Sequence, residues 1–178
     1  MSADLAILEK ALGHSFRDRQ LLERALTHKS KVYEKTAEGQ AAADNEQLEF
    51  LGDAILGFAV SESLVRRFPS FPEGRLSKLK AHLVSAAHLY AVAQSLNLGE
   101  HLLLGRGEEM SGGREKKALL SDAVEALIAA LYLEAGIEVT RQFLEERVIG
   151  AFELPEDGVD SAVTDHKSAL QEMAQALK

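Results

Sequence analysis

The sequence predicts an all-α domain, and two observations support that prediction. Apolar residues recur at helical spacing through nearly the whole chain, beginning with the stripe Leu5, Leu8 and Leu12. No alternating run of β-branched residues is long enough to indicate a strand. A chain of 178 residues, of which 46% are hydrophobic, is also long enough to bury a core of ordinary size.

The helices of the first half are predicted from their start and stop signals. The first helix ends at Gly13, and Asp18 is placed to cap a second helix over 19–28. Residues 34–44 are small and polar, which indicates a loop. A long helix is predicted over 45–68, because the Phe-Pro-Ser-Phe-Pro stretch that follows would stop it.

The second half continues the helical pattern. Apolar periodicity covers 75–96, and Ser85 is a suitable cap for a new helix inside that stretch. A glycine-rich, charged connection over 105–117 leads to two further helices, predicted over 118–134 and 138–151.

The chain divides into three parts by composition. Residues 1–152 carry the continuous helical pattern and form the main domain. Residues 153–164 combine acidic residues with proline and glycine, which predicts an acidic linker. Residues 165–178 then resume a helical pattern.

Composition excludes several classes of protein. Because cysteine is absent, there is no disulfide framework, thiolate metal site or cysteine nucleophile, and a cytoplasmic location is expected. The start of the chain lacks a signal-peptide pattern, and no stretch of about 18 apolar residues is free of charge, so no membrane partner is expected. The net charge of −8 argues against a protein that holds nucleic acid by bulk electrostatics alone.

The long helix over 45–68 carries a stripe of acids. Glu46, Glu49 and Asp53 lie at i, i+3 and i+7, within an arc of roughly 60° on one helix face. Like charges so close repel one another. The simpler interpretation is helix-start chemistry, with a cap at Asp44 or Asn45 and early acids that favour the helix dipole. That interpretation does not account for Asp53, two turns into the helix.

A second acidic pair lies in the most apolar segment of the chain. Over 118–133 only Ser121, Asp122, Glu125 and Tyr132 are not purely apolar, which predicts a central, buried helix. Asp122 and Glu125 therefore place carboxylates in or near the core, where unpaired charge is expensive. The alternative is that Asp122 caps the helix with Glu125 as its capping-box partner, although the residues just before Asp122 already have a helical pattern.

Carboxylates from these two helices could converge on one cation. Oxygen ligands suit Mg²⁺, with Mn²⁺ as a substitute, and such metals most often serve phosphate chemistry. The sequence has no Glu-x-x-His pair, no Gly-x-Ser-x-Gly motif and no phosphate-binding loop. The predicted metal ligands are Glu49, Asp53, Asp122 and Glu125.

The same segments resemble a known family. Asn-Glu-Gln-Leu-Glu-Phe-Leu-Gly-Asp over 45–53 resembles the signature of the ribonuclease III family, and the resemblance extends over about residues 4–151 in the family's order. Further matching segments are 12–16, 22–30, 72–80, 98–100, 111–113 and 120–128. The resemblance implies an all-helical endonuclease domain that forms a symmetric homodimer and cleaves double-stranded RNA with Mg²⁺. It further implies 5′-phosphate and 3′-hydroxyl ends and a role in rRNA and mRNA processing.

The resemblance also implies roles for individual residues. The four predicted ligands match the family's metal-binding carboxylates, with Asp53 and Glu125 among its catalytic residues. Glu46 and Glu73 match two further acids that support catalysis beside the scissile bond. Phe50 matches an aromatic side chain that enters the partner subunit.

The last residues of the sequence resemble part of a second domain. Residues 165–175 resemble the first helix of a double-stranded RNA-binding domain, whose remaining strands and second helix do not follow, so this domain is interpreted as incomplete.

Two other functional classes are alternatives to the endonuclease. The first is a catalytically silent relative that acts as an RNA-binding or ribosome-associated scaffold. The second is a dimeric helical scaffold whose acids only cap helices. The presence of all four predicted ligands favours the enzyme.

Overall fold

A computed structural model describes residues 5–37 and 43–150 of the chain. This part confirms the all-helical class. Its α-helices are α1 (Leu5–Leu12), α2 (Arg19–Ala25), α3 (Lys29–Ala37), α4 (Glu46–Arg67), α5 (Glu73–Leu83), α6 (Ala86–Ser95), α7 (Arg106–Met110) and α8 (Lys117–Leu144). Over these ranges there is no strand, only a single parallel bridge between Thr27 and Leu103. None of their helices is both long and apolar enough to cross a membrane.

Helix α8 is the central element of the core. The side chains of Leu127, Ile128 and Leu131 are fully buried, and the helix packs mainly against α4 and α6. Gly136 breaks α8 with φ 81° and ψ −179°, a left-handed conformation that favours glycine. The two helices predicted on either side of this position are therefore confirmed, and a π-helical turn over Glu145–Ile149 continues the second.

The predicted start and stop signals also hold. The Asp18 carboxylate accepts hydrogen bonds from the backbone N–H groups of Gln20 and Leu21, at 3.0 and 3.1 Å. Gly13 ends α1 with a φ of 70°. The Ser85 hydroxyl accepts from a backbone N–H three residues on, at 3.2 Å, and so caps α6.

The predicted end of α2 at His28 is wrong. The helix ends at Ala25, because the next residues leave it to pair with a distant segment. The Leu103 N–H donates to the Leu26 carbonyl at 2.9 Å, and the His28 N–H donates to the Leu103 carbonyl at 3.1 Å. These bonds join the α2–α3 connection to the segment before α7.

Two segments predicted as loops contain helix among the described residues. The loop predicted over 34–44 is helical as far as Ala37. The Glu34 carboxylate accepts a hydrogen bond from the Arg106 backbone N–H, and this bond ties α3 to the start of α7. The connection predicted over 105–117 contains α7 and a short 3₁₀ turn.

The boundaries of the C-terminal parts are not tested. The predicted acidic linker at 153–164 and the predicted final helix at 165–178 lie outside the described residues.

Candidate metal centre

Helices α4 and α8 meet at a glycine. A Cβ at Gly52 would lie 1.8 Å from the backbone carbonyl oxygen of Glu125, so no larger residue fits without separating the helices. Glu49 and Asp53 lie on α4 close to this crossing, and Asp122 precedes Glu125 by one turn on α8. The crossing therefore brings the acidic stripe of α4 beside the acidic pair of α8.

Three of the predicted ligands form a cluster. Glu49, Asp122 and Glu125 each offer one carboxylate oxygen, and these oxygens lie within 4.8 Å of one another. All three side chains are partly buried. An oxygen-only donor set of this size suits a hard divalent cation that keeps part of its water shell.

The cluster is electrostatically unfavourable while all its members are ionised and no cation is present. Burial and the charges of Asp53, Asp122 and Glu49 raise the pKa of Glu125 to about 7. Burial also raises the pKa of Asp122, and burial together with Asp122 and Glu46 raises the pKa of Glu49. A bound cation would favour the ionised forms, which gives the site an electrostatic reason to bind one.

The other predicted site residues lie outside the cluster. Asp53 is exposed, and its carboxylate is not among the three grouped oxygens, although its charge contributes to the raised pKa described above. Glu46 is exposed and pairs with Lys29 at 3.0 Å. Glu73 is exposed in the first turn of α5, where it accepts a hydrogen bond from the Ser77 hydroxyl at 2.5 Å.

The helix-start interpretation of these acids fails for α8. This helix begins at Lys117, so Asp122 and Glu125 lie inside it and cannot form a capping box. On α4 the Asp44 carboxylate accepts a hydrogen bond from the Glu46 N–H at 3.2 Å, and Glu46 and Glu49 both lie in the first turn. The interpretation therefore holds for these two acids but not for Asp53, which lies further along the helix. Capping therefore does not explain the cluster.

A small pocket beside the cluster has no counterpart in the sequence predictions. Its volume is about 150 Å³, and it is lined by His28, Lys29, Asn45, Glu46, Glu49, Leu102, Leu119 and Asp122. Burial raises the pKa of Asp122, whereas a hydrogen bond from Ser121 and, more weakly, the charge of Lys29 oppose that rise. Helical periodicity gave no signal for this pocket, because its basic residues come from the connection between α2 and α3 and the first turn of α3.

An exposed apolar surface lies next to the acidic stripe. Phe50 is 82% exposed and Phe58, two turns further along α4, is 55% exposed. A groove of about 730 Å³ next to Phe58 continues over Leu133 and Ile137 of α8. We call the surface formed by these four residues the α4–α8 apolar face. Exposed apolar surface of this kind is typical of an interaction site.

The fold and the cluster define the class of the protein: an all-helical domain with a carboxylate site suited to a hard cation. The family described as Ribonuclease-III-like matches residues 18–152. A protein named Ribonuclease 3 from Solibacter usitatus is 54% identical, covering 100% of this chain and 68% of that protein. The chain belongs to the ribonuclease III family.

Further relatives agree with this membership. Ribonuclease 3 from Syntrophobacter fumaroxidans is 44% identical, over 98% of this chain and 72% of that protein. A crystal structure of the nuclease domain of ribonuclease III from Campylobacter jejuni has a TM-score of 0.77 and 41% identity. The match covers 86% of this chain and 99% of that domain. The chain therefore has the fold of a ribonuclease III nuclease domain.

Proposed function

We propose that this chain hydrolyses double-stranded RNA with Mg²⁺ held by the carboxylate cluster. Membership of the ribonuclease III family makes the chain an endoribonuclease. The observation that carries the proposed chemistry is the grouping of three carboxylate oxygens within 4.8 Å of one another. The proposed ligands are Glu49, Asp53, Asp122 and Glu125, and Mn²⁺ is the expected substitute.

Each part of the site has a role in this proposal. Mg²⁺ supplies Lewis acidity, which makes water a stronger nucleophile and stabilises charge on the phosphoryl oxygens. Glu49, Asp122 and Glu125 would fix the position of the cation in the protein. The exposed Asp53 would complete the ligand set from the solvent side. Glu46 and Glu73 are both exposed. They are proposed to position the RNA strand and the attacking water near the scissile bond. The expected products carry 5′-phosphate and 3′-hydroxyl ends.

Cleavage of a long double-stranded RNA with and without Mg²⁺ tests this proposal. We expect cleavage only with Mg²⁺ or Mn²⁺, and a loss of at least about a hundredfold in Asp122→Asn and Asp53→Asn, because each variant removes a ligand charge. Glu100→Gln is the matched control, since it removes an exposed carboxylate outside the cluster. Metal-independent cleavage, or equal rates in all three variants, would contradict the site assignment.

The proposal includes a symmetric homodimer. The Campylobacter jejuni nuclease domain has a region described as involved in dimer formation. In the present chain the α4–α8 apolar face is the surface suited to a second copy, because a two-fold contact needs one self-complementary patch. The acidic stripe runs beside this face, so each site would lie close to the subunit interface. A cytoplasmic location, predicted from the absence of cysteine, belongs to the same proposal.

Phe50→Ser is expected to weaken the dimer. An aromatic anchor at the centre of an interface contributes about 2 kcal/mol or more, so we expect the dimer dissociation constant to rise at least about thirtyfold. Sedimentation equilibrium measures this constant. Met110→Ser is the control, because Met110 is also highly exposed, at 81%, but lies on α7 outside this face. If the two variants dimerise equally well, Phe50 is not an interface residue.

A further inference from the structure

His28 lies beside the cluster on a backbone that is held from several sides. Its N–H donates to the Leu103 carbonyl at 3.1 Å, and the Asn45 N–H donates to the carbonyl of the preceding residue at 2.9 Å. A Cβ at Gly105 would lie 2.5 Å from the Ser30 carbonyl oxygen, so these two segments pack backbone against backbone. The imidazole is therefore presented by a well-supported segment, as a binding site requires.

The hydrogen bonds of Ser30 select one tautomer of the His28 ring. The Ser30 backbone N–H donates to Nδ1 at 3.3 Å. The Ser30 hydroxyl oxygen lies 2.9 Å from Nδ1 and accepts from the Gly105 N–H at 2.9 Å, so the hydroxyl proton is free to point at Nδ1. A nitrogen that accepts these bonds carries no proton, and the ring proton is therefore on Nε2. Within the described residues nothing accepts a hydrogen bond from Nε2.

The surroundings of His28 suggest what would accept that proton. His28 lines the same pocket as Glu49 and Asp122, and its volume of about 150 Å³ matches the volume of roughly five water molecules. A space of that size suits a phosphate group or the edge of a ribose. Since the neighbouring carboxylates are the proposed metal ligands, the backbone of the RNA strand being cut would pass this pocket.

Resting on the proposed function, we propose that His28 is a substrate-binding residue that donates its Nε2 proton to the RNA backbone next to the scissile phosphate. The protonated Nε2 offers no lone pair, so this role differs from that of a metal ligand. Two acceptors share the required chemistry, a non-bridging phosphate oxygen and a ribose 2′-oxygen. Chemically modified RNA distinguishes them.

Asparagine and glutamine replace opposite halves of the imidazole. In His28→Asn the side-chain oxygen reaches the Nδ1 position and keeps the contacts with Ser30, but no atom reaches the Nε2 position. In His28→Gln the amide N–H reaches the Nε2 position and can donate into the pocket. The two variants therefore separate binding of substrate from support of the backbone.

The experiment measures affinity for a double-stranded RNA in Ca²⁺ and single-turnover cleavage in Mg²⁺. We expect His28→Asn to raise the dissociation constant for RNA by about three- to tenfold, the effect of one lost hydrogen bond. The single-turnover rate, measured with enzyme in excess over RNA but below that dissociation constant, should fall by the same factor. His28→Gln should stay within about twofold of wild type on the same scale. With RNA carrying one 2′-deoxynucleotide at the cleaved position, His28→Asn should have no further effect if the 2′-oxygen is the acceptor. It should keep its full effect if phosphate is the acceptor.

Two results would overturn the inference. If His28→Asn behaves as wild type while His28→Gln is impaired, the residue only supports Ser30. If both variants bind and cut RNA as wild type does, Nε2 makes no contact with substrate. A wild-type protein that does not cut double-stranded RNA in Mg²⁺ would instead overturn the proposed function, which keeps the two failures distinguishable.

Discussion

Glu125→Gln is expected to abolish most RNA cleavage and, at the same time, to stabilise the metal-free protein. Cleavage should fall at least about a hundredfold, because the cluster loses one ligand charge. The free energy of unfolding should rise by about 1 kcal/mol above neutral pH, since glutamine removes a repelled, partly buried charge whose effect solvent partly screens. A site built for a cation is therefore a source of instability when the cation is absent.

The stability effect has a defined pH window. The pKa of Glu125 is about 7 in the folded protein, against an ordinary value of 4.5. Between these two values the folded state binds more protons than the unfolded state, so the contribution of Glu125 to stability falls as the pH rises. We therefore expect the advantage of the variant to be largest near pH 8 and small near pH 4, where both states are mostly protonated.

Urea unfolding in EDTA at several pH values measures this effect. Glu100→Gln serves as the control, because its carboxylate is exposed and lies outside the cluster. Addition of Mg²⁺ should stabilise the wild-type protein and the control more than Glu125→Gln, since the variant binds the cation less well. A variant less stable than wild type near pH 8 in EDTA would show that Glu125 is not held in an unfavourable charge cluster.

Gly52→Ala adds a single methyl group to α4 and is expected to lower the stability of the protein strongly. Its Cβ would lie 1.8 Å from the Glu125 carbonyl oxygen, so the two helices must separate or the backbone must bend. Overpacking of this severity costs at least about 3 kcal/mol, which corresponds to a fall in Tm of roughly 6–12 °C for a chain of this size. Cleavage should fall as well, because the same displacement moves Glu49 away from the α8 carboxylates.

Gly57→Ala is the matched control on the same helix. Its Cβ would meet only the flexible end of the Lys80 side chain, at 3.6 Å, which is an ordinary contact distance. Since alanine favours helix by about 0.5–1 kcal/mol over glycine, this variant should be neutral or slightly stabilised. Equal melting temperatures for the two variants, measured by circular dichroism, would show that the α4–α8 crossing tolerates a larger residue at position 52.

Local signals in the sequence predicted most of the helical framework. Asp18 and Ser85 cap the helices they were expected to cap, and glycine ends α1 where expected. The apolar character of residues 118–133 correctly predicted a central helix, since a helix with no polar face must be buried. These predictions succeed because capping and periodicity depend on residues only a few positions apart.

Long-range contacts account for the predictions that failed. The end of α2 depends on pairing with Leu103, and the last turn of α3 is tied to the Arg106 N–H. Neither partner is near in the sequence, so periodicity carries no information about it. The pairing of Lys29 with Glu46 was missed for the same reason.

The candidate site likewise combines local features that the sequence predicted with a long-range contact that it did not predict. Residue spacing placed Glu49 and Asp53 on one face of a helix and Asp122 and Glu125 on another, and the family resemblance supplied an expected role for them. The distance between the two faces depends on a backbone contact, where Gly52 lets α4 approach the Glu125 carbonyl. A helical pattern specifies which face of one helix each side chain lies on. Carboxylate oxygens within 4.8 Å of one another additionally require two helices to meet at one point. That meeting point results from core packing, which no single segment encodes.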